Sequence, residues 1–162
     1  MAEAVAADDA RSPGESADDR TLVIERVFKA PPEAVFHAWT DPAILVQWWG
    51  PETFTTSEPE MDVRPGGAWR TVMVGPKGET HTASGVYREI TPPKRLVMSW
   101  AWQQDDGGRG HETEVEVNFE PTSAGTRMRL VQRLFQSRQQ RDNHFGGWTS
   151  TFKDLERLFG GP

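Results

Sequence analysis

From Thr53 to Leu134 apolar and polar residues alternate with a period of two, and on both sides of that stretch the period lengthens to that of a helix. The alternation is faultless in "ETEVEVNFE". Glu112, Glu114, Glu116, Asn118 and Glu120 fall on one face of a strand, and Thr113, Val115, Val117 and Phe119 on the other. Beyond the turn "EPTSAG", "GTRMRLVQR" sets Arg127, Arg129 and Arg133 out of phase with Met128, Leu130 and Gln132. Paired across that turn, the two strands would match glutamate to arginine on a solvated face, at about 0.2–1 kcal/mol per pair. "AWRTVMV" puts Trp69, Thr71 and Met73 on one face, and "RLVMSWAW" does the same for Leu96, Met98, Trp100 and Trp102. The turn signals "RPGG", "VGPKGE", "TPPKR" and "QQDDGGRG" separate these runs, so the pattern predicts an antiparallel meander with one dry face.

Before the meander, "TLVIERVFKA" reads as a strand that stops at a double proline, and "PPEAVFHAWT" as a short helix burying Val35, Phe36 and Trp39. In "TDPAILVQWWGP", Asp41 can cap, Pro42 suits the first helical position, and Gly50-Pro51 forms a stop. That punctuation predicts a second short helix of about eight residues with Trp48 and Trp49 at its end. After the meander, Phe145, Trp148, Phe152, Leu155 and Phe159 are spaced 3, 4, 3 and 4, the stripe of a long amphipathic helix. Ser137 with Gln140 has capping-box form. Gly146 and Gly147 cost that helix roughly 2 kcal/mol together. Close packing, a kink, or a helix that begins only at Trp148 would each account for them.

Composition narrows the picture. Seven Trp and eight Phe stand against one Tyr, so the core is expected to be rich in aromatic rings. Cysteine is absent, which excludes disulfides, thiolate metal cages and a cysteine nucleophile, and fits a cytoplasmic setting. No apolar run reaches membrane-spanning length. Residues 1–20 have no Leu, Ile or aromatic residue, and their six acids against two arginines leave only −2 of the net −6 for residues 21–162. This segment is expected to be a disordered acidic tail before one domain over residues 21–160. A nearly neutral body without a basic stripe argues against nucleic acid as a partner.

Four words, "FKAPPEAVFHAWTDPAILVQWWGP", "DVRPGGAWR", "GVYREITPPKRLVMSW" and "GGWTSTFKDLERL", occur in this order and resemble the family named after the activator of heat-shock protein 90 ATPase. That family belongs to the SRPBCC superfamily, with the START domains, birch-pollen-type allergens and polyketide cyclases. The resemblance covers about residues 21–160 and implies an α+β helix-grip fold: a curved antiparallel sheet wrapped round the long C-terminal helix, with two short helices after the first strand. It also implies an internal cavity for a small apolar or amphipathic ligand such as a lipid, sterol, polyketide or aromatic molecule. Two other activities come with it, a chaperone-associated or stress-related interaction module, and a cyclase or hydrolase acting in the cavity. The eukaryotic activator carries a further N-terminal domain that residues 1–20 are too short and too polar to replace, which argues against chaperone activation.

On this reading the ligand-binding candidates are Trp48, Trp69, Met73, Tyr87, Met98, Trp100, Phe145, Trp148 and Phe152, each of which also makes sense as plain core. For Trp48 and Trp49 the choice lies between anchoring a short helix and lining the cavity mouth. Tyr87 could orient a ligand carbonyl or bond to the backbone. His81 and His144 are the weak catalytic candidates, as general acid and base at one end of the cavity. The four histidines show no metal-ligand spacing, and neither a metal nor a cofactor is expected. Asp105 and Asp106 read as a solvated turn, "GGRG" and "RPGG" lack the context of a phosphate loop, and Ser84-Gly85 lacks the first glycine of a nucleophile elbow.

Overall fold

The computed structural model describes residues 18–160; the predicted acidic tail lies, up to residue 17, outside the described residues. Strand β1 (Leu22–Phe28) leads into helices α1 (Pro32–Thr40) and α2 (Pro42–Leu45). Strands β2 (Thr55–Thr56), β3 (Glu60–Met61), β4 (Ala68–Val74), β5 (Thr80–Thr91), β6 (Arg95–Trp102), β7 (Thr113–Thr122) and β8 (Gly125–Arg133) follow, and helix α3 (Arg138–Leu158) comes last. All pairings are antiparallel, in the order β1-β8-β7-β6-β5-β4-β2, with β3 also on β4. A register shift between Tyr87 and Glu89 breaks the β5–β6 ladder, and a bulge of this kind bends a strand. The sheet curls into a half-barrel round the C-terminal helix, which is the helix-grip architecture.

Alternation set the strand faces as expected. Val115, Val117, Phe119, Met128 and Leu130 are buried, while the glutamates and arginines face out. Arg133 bridges Glu114 at 2.7 Å and Glu116 at 2.9 Å, and Arg127 meets Glu120 at 3.2 Å. Arg129 turns instead to Glu25 on β1, at 3.5 Å. Burial alone pushes the Glu116 carboxyl up, but hydrogen bonds from Asn118 and Arg133 and the charges of Arg133 and Arg95 outweigh it, so the net shift is downward. Strand β6 departs from the pattern, since Ser99 and Ala101 on its outer side are buried too. Ser99 Oγ accepts from the Val86 N–H where the ladder is interrupted, so a side chain completes the sheet there.

The first helices are anchored by their rings. α1 starts at Pro32 and buries Val35, Phe36, Ala38 and Trp39, with Phe36 edge-on to Phe119 of β7 at 5.4 Å. Asp41 caps α2 by accepting from the Ala43 N–H, but α2 is only four residues long. Beyond Leu45, the Gln47 and Trp48 N–H groups donate to the Ile44 and Leu45 carbonyls three residues back and that of Trp49 to Leu45 four back, so the tryptophan pair sits on isolated turns rather than at the end of an eight-residue helix. Gly50 then reverses the chain at φ 102°, a conformation open to glycine.

α3 lies across the concave face. Phe152 and Leu155 are fully buried, and full burial of such side chains contributes about 1.5–3 kcal/mol each. Ser137 Oγ accepts from the Gln140 N–H, the first half of the predicted capping box. The helix is uninterrupted at Gly146 and Gly147, and a Cβ on either would meet no atom within 4 Å. Close packing and a helix start at Trp148 are therefore both ruled out as explanations of the pair.

Candidate ligand-binding cleft

α3 does not plug the half-barrel. A cleft of about 460 Å³ remains between its first half, the ends of β4–β6 and the segment after α2. Trp49, Trp100, Trp102 and Trp148 form its walls, with Phe54 and Met73. It opens to solvent, so it is not the enclosed cavity the resemblance implied. The residues α3 turns toward the cleft are Gln140, Asn143, His144, Gly147, Trp148 and Thr151; His144 and Trp148 reach Trp102 and Trp100 on the sheet, while the Cβ position of Gly147 is open space. Gly147 thus acts by omission, as wall without a side chain.

The rings are held in fixed orientations. Trp49 is the hub, with ring centroids 5.4 Å from Trp48, 5.7 Å from Trp100 and 5.7 Å from Trp148. Its indole N–H donates to Thr71 Oγ1 at 3.1 Å, while that of Trp48 donates to the Ala38 carbonyl at 3.0 Å. Trp148 donates to Gln132 Oε1 at 2.8 Å, and Gln132 Nε2 donates to Thr113 Oγ1 at 2.8 Å, so a fully buried amide ties α3 to β7 and β8. Trp39 donates to Met128 Sδ, Trp69 to the Ser99 carbonyl and Trp102 to His144 Nε2. Trp69 can lie that close only because residue 85 is glycine: a Cβ there would come within 1.9 Å of the Ser99 carbonyl oxygen. Six of the seven indoles are thus partnered. The seventh, Trp100, is buried with no acceptor for its Nε1–H among the described residues, a condition that costs about 1–3 kcal/mol.

A polar strap fixes the lip. The Glu52 N–H donates to Ser150 Oγ at 2.7 Å, and the Glu52 carboxylate meets Arg157 at 3.1 Å and Lys153 at 3.7 Å. Thr56 Oγ1 donates to the Trp49 carbonyl at 2.8 Å. Gly50 and Pro51 are held between these bonds, at the cleft edge.

Among the sequence candidates, Met73, Trp100 and Trp148 border the cleft. Trp48 and Phe152 do not: Trp48 is 1% exposed and Phe152 0%, packed in the solid part of the core. Of the neighbouring tryptophans it is Trp49 that reaches the mouth, because the turns after Leu45 point Trp48 back at α1. Trp69, Tyr87 and Met98 lie on the far side, round a void of only about 10 Å³. Tyr87 is not among the residues lining the cleft, and burial, reinforced by the Asp62 charge, pushes its phenol up. Phe145 is partly buried against the core. Phe54, which sequence reasoning passed over, is in the wall, and so is Trp102, whose inward phase on β6 was read from the alternation.

His81 and His144 do come to the same cleft, as the acid–base reading required. His144, however, has both ring nitrogens engaged. Nε2 accepts from Trp102 at 2.8 Å, which assigns the proton to Nδ1, and that N–H donates to the Gln140 carbonyl at 2.8 Å. Burial pushes its pKa down against the opposing pull of the Gln140 carbonyl. A neutral imidazole spent on two protein partners has no nitrogen left for proton transfer. Asp106 accepts from the Gly108 N–H in the exposed loop, a turn as expected. Among the described residues no three His, Asp or Glu side chains come together as metal ligands, and no helix is long and apolar enough to cross a membrane.

A curled antiparallel sheet gripping a C-terminal helix, with an apolar cleft beside that helix, defines a protein of the SRPBCC helix-grip class, a fold that commonly binds hydrophobic ligands. Within that class the family model described as "Activator of Hsp90 ATPase homolog 1-like protein" matches residues 29–160, and the chain belongs to this family. An AHSA1 protein from Silicibacter pomeroyi is 34% identical, with a TM-score of 0.81 over 86% of this chain and 97% of that one. A protein from Chromobacterium violaceum is 30% identical, with a TM-score of 0.79 over 88% and 99%. A third, from Nitrosomonas europaea, is 29% identical, with a TM-score of 0.73 over 89% and 96%. No curated protein matches the chain.

Proposed function

We propose that this protein binds a small apolar or amphipathic molecule, of lipid, sterol, polyketide or aromatic type, in the cleft between α3 and the sheet. The observation that carries the reading is the 460 Å³ space itself, walled by four tryptophans and left open by a helix that spends a glycine where a side chain would fill it. Its size is that of small-molecule sites, about 300–1,000 Å³, and its lining is aromatic with a few polar groups at the rim. The test is a ¹⁵N-detected titration with lipids, sterols and aromatic polyketides. Residue-specific shifts at Trp49, Trp100 and Trp148 are expected for at least one class, and a flat response at all three to every class would remove the reading.

Residues 21–160 are taken as one binding domain, supported by the family match and by ring contact from Phe28 on β1 to Phe159 after α3, at 6.0 Å. A cytoplasmic setting belongs to the same proposal and rests on the cysteine-free composition alone. The interaction-module alternative needed an exposed apolar corner at the tryptophan pair, and both rings are buried. The enzymatic alternative loses His144 to its two hydrogen bonds.

A further inference from the structure

Polarity and exposure rise together from the floor of the cleft to its mouth. Trp49, Met73, Trp100 and Trp148 are buried, whereas His81, Gln140 and Asn143 are exposed. His81 stands on the sheet side of that mouth. It is the cross-strand partner of Met73, so its side chain leaves β5 on the face that carries the floor, and its ring lies 5.6 Å from that of Phe54. Of the two histidines in the lining, His144 is spent on Trp102 and Gln140, but the His81 ring makes no hydrogen bond among the described residues. Nor do the side-chain amides of Gln140 and Asn143, on the helix side. An imidazole, neutral or protonated, offers at least one N–H donor, and each amide offers two.

The charges round the mouth decide which head group these donors favour. No Asp, Glu, Lys or Arg is among the lining residues, so only an imidazole can carry charge there, and that charge is positive. At the lip the Glu52 carboxylate is taken up by Arg157 and Lys153. Glu79, two residues before His81, accepts from the Lys77 N–H in the hairpin turn and does not line the cleft. A cationic head would therefore find no counter-charge. A carboxylate would meet free donors from both sides, and the open mouth would leave it part of its water.

We propose that the cleft takes an amphipathic carboxylate, with its apolar body against the tryptophan floor and its carboxylate at the mouth, and that His81 is the residue that selects this head. The inference rests on the binding reading of the cleft and adds to it a ligand class, an orientation and a specificity residue. The floor rings hold a flat apolar body through offset and edge contacts, which carry no preference among head groups. Discrimination then falls to the mouth, where only His81 can add charge to its hydrogen bond.

The test uses three probes of similar shape: 2-naphthylacetate, its neutral isostere 2-naphthylacetamide, and the cation 2-(2-naphthyl)ethylamine. Their dissociation constants are measured by calorimetry near neutral pH on the full chain and on His81→Leu, a change at an exposed position. The unaltered protein is expected to bind the acetate about three- to tenfold more tightly than either of the others, a range between an exposed ion pair and a charge-assisted hydrogen bond. In His81→Leu the preference for acetate over ethylamine is expected to fall by about threefold or more. An unchanged preference in the variant overturns His81 as the selecting residue. Acetamide or ethylamine binding the unaltered protein as tightly as the acetate overturns the carboxylate class and leaves the binding reading standing. If none of the three binds, the binding reading of the cleft falls, and this inference with it. Orientation is read on the unaltered protein alone, whatever the variant does: nuclear Overhauser contacts must join the acetate methylene to the His81 ring and the naphthyl protons to Trp49 and Trp148, and the reverse pattern overturns the proposal.

Discussion

The same helix covers two halves of one concave sheet, and the halves differ in what the helix turns toward them. Along Trp148, Phe152 and Leu155, α3 meets Trp39, Trp48 and the inner faces of β7 and β8, and no ligand-sized space is left. One stripe round, along Gln140, Asn143, Gly147 and Thr151, it faces β4–β6 and leaves a 460 Å³ cleft. The sheet contributes large rings to both halves. The hollow therefore arises where the helix offers Gln140, Asn143, Gly147 and Thr151, between the points at which its His144 and Trp148 meet Trp102 and Trp100 of the sheet. Trp49 and Trp148 stand on the border and belong to both halves.

The comparison is broken most severely by Phe152→Ala, which opens a void in the filled half. A loss of about 3–5 kcal/mol is expected in chemical denaturation. A loss under roughly 1 kcal/mol would mean that the two halves are equally loose. Next comes Gln132→Leu at their junction, which strips the Trp148 N–H and Thr113 Oγ1 of their shared partner. About 1–3 kcal/mol should be lost, and cleft probes should bind less tightly because Trp148 is no longer held. Gly147→Leu reverses the sign on the hollow side. With open space at its Cβ position, the variant should keep its stability or gain about 0.5–1 kcal/mol from helix propensity, while ligand binding falls by at least roughly tenfold. A destabilised Gly147→Leu would show that the wall is tighter than the structure has it.

The smallest effect is set by pH. The folded pKa of His144 lies below its unfolded value, chiefly through burial, so the unfolded chain binds more protons as acid is added. The stability this contributes is complete above the ordinary histidine range and is lost as pH falls through the folded pKa. Protonation also places a second donor on Nε2, facing the Trp102 N–H. Thermal melts of the parent and of His144→Phe should converge toward neutral pH on the same slope and part below it, with only the parent losing ground. Parallel curves through that window would detach His144 from the cleft wall.

Much of this architecture was legible because it depends on local spacing. The period-two runs assigned each strand its inner face, and Glu114, Glu120, Arg127 and Arg133 met as their register required. Ser137, Asp41 and Pro42 marked helix starts that the backbone needs whatever surrounds it. The family words pointed to the right fold. The length of α2 was misjudged, because the turns after Leu45 are stabilised by Trp48 and Trp49 packing against distant rings, a contact no local pattern contains.

The candidate site was legible only as a list of rings. Which of two adjacent tryptophans reaches the cleft follows from the direction of a turn, and which indole goes without a partner follows from seven separate neighbourhoods. Sequence alone determined that this chain would form a dry-faced meander capped by an amphipathic helix, since burial of alternating and helical apolar patterns is a property of each segment. Only the tertiary structure decided that the helix would present Gly147 rather than Phe152 to one end of the sheet. That choice is a rotation about the helix axis, fixed by long-range contacts such as the Trp148–Gln132 hydrogen bond, and it is what leaves room for a guest.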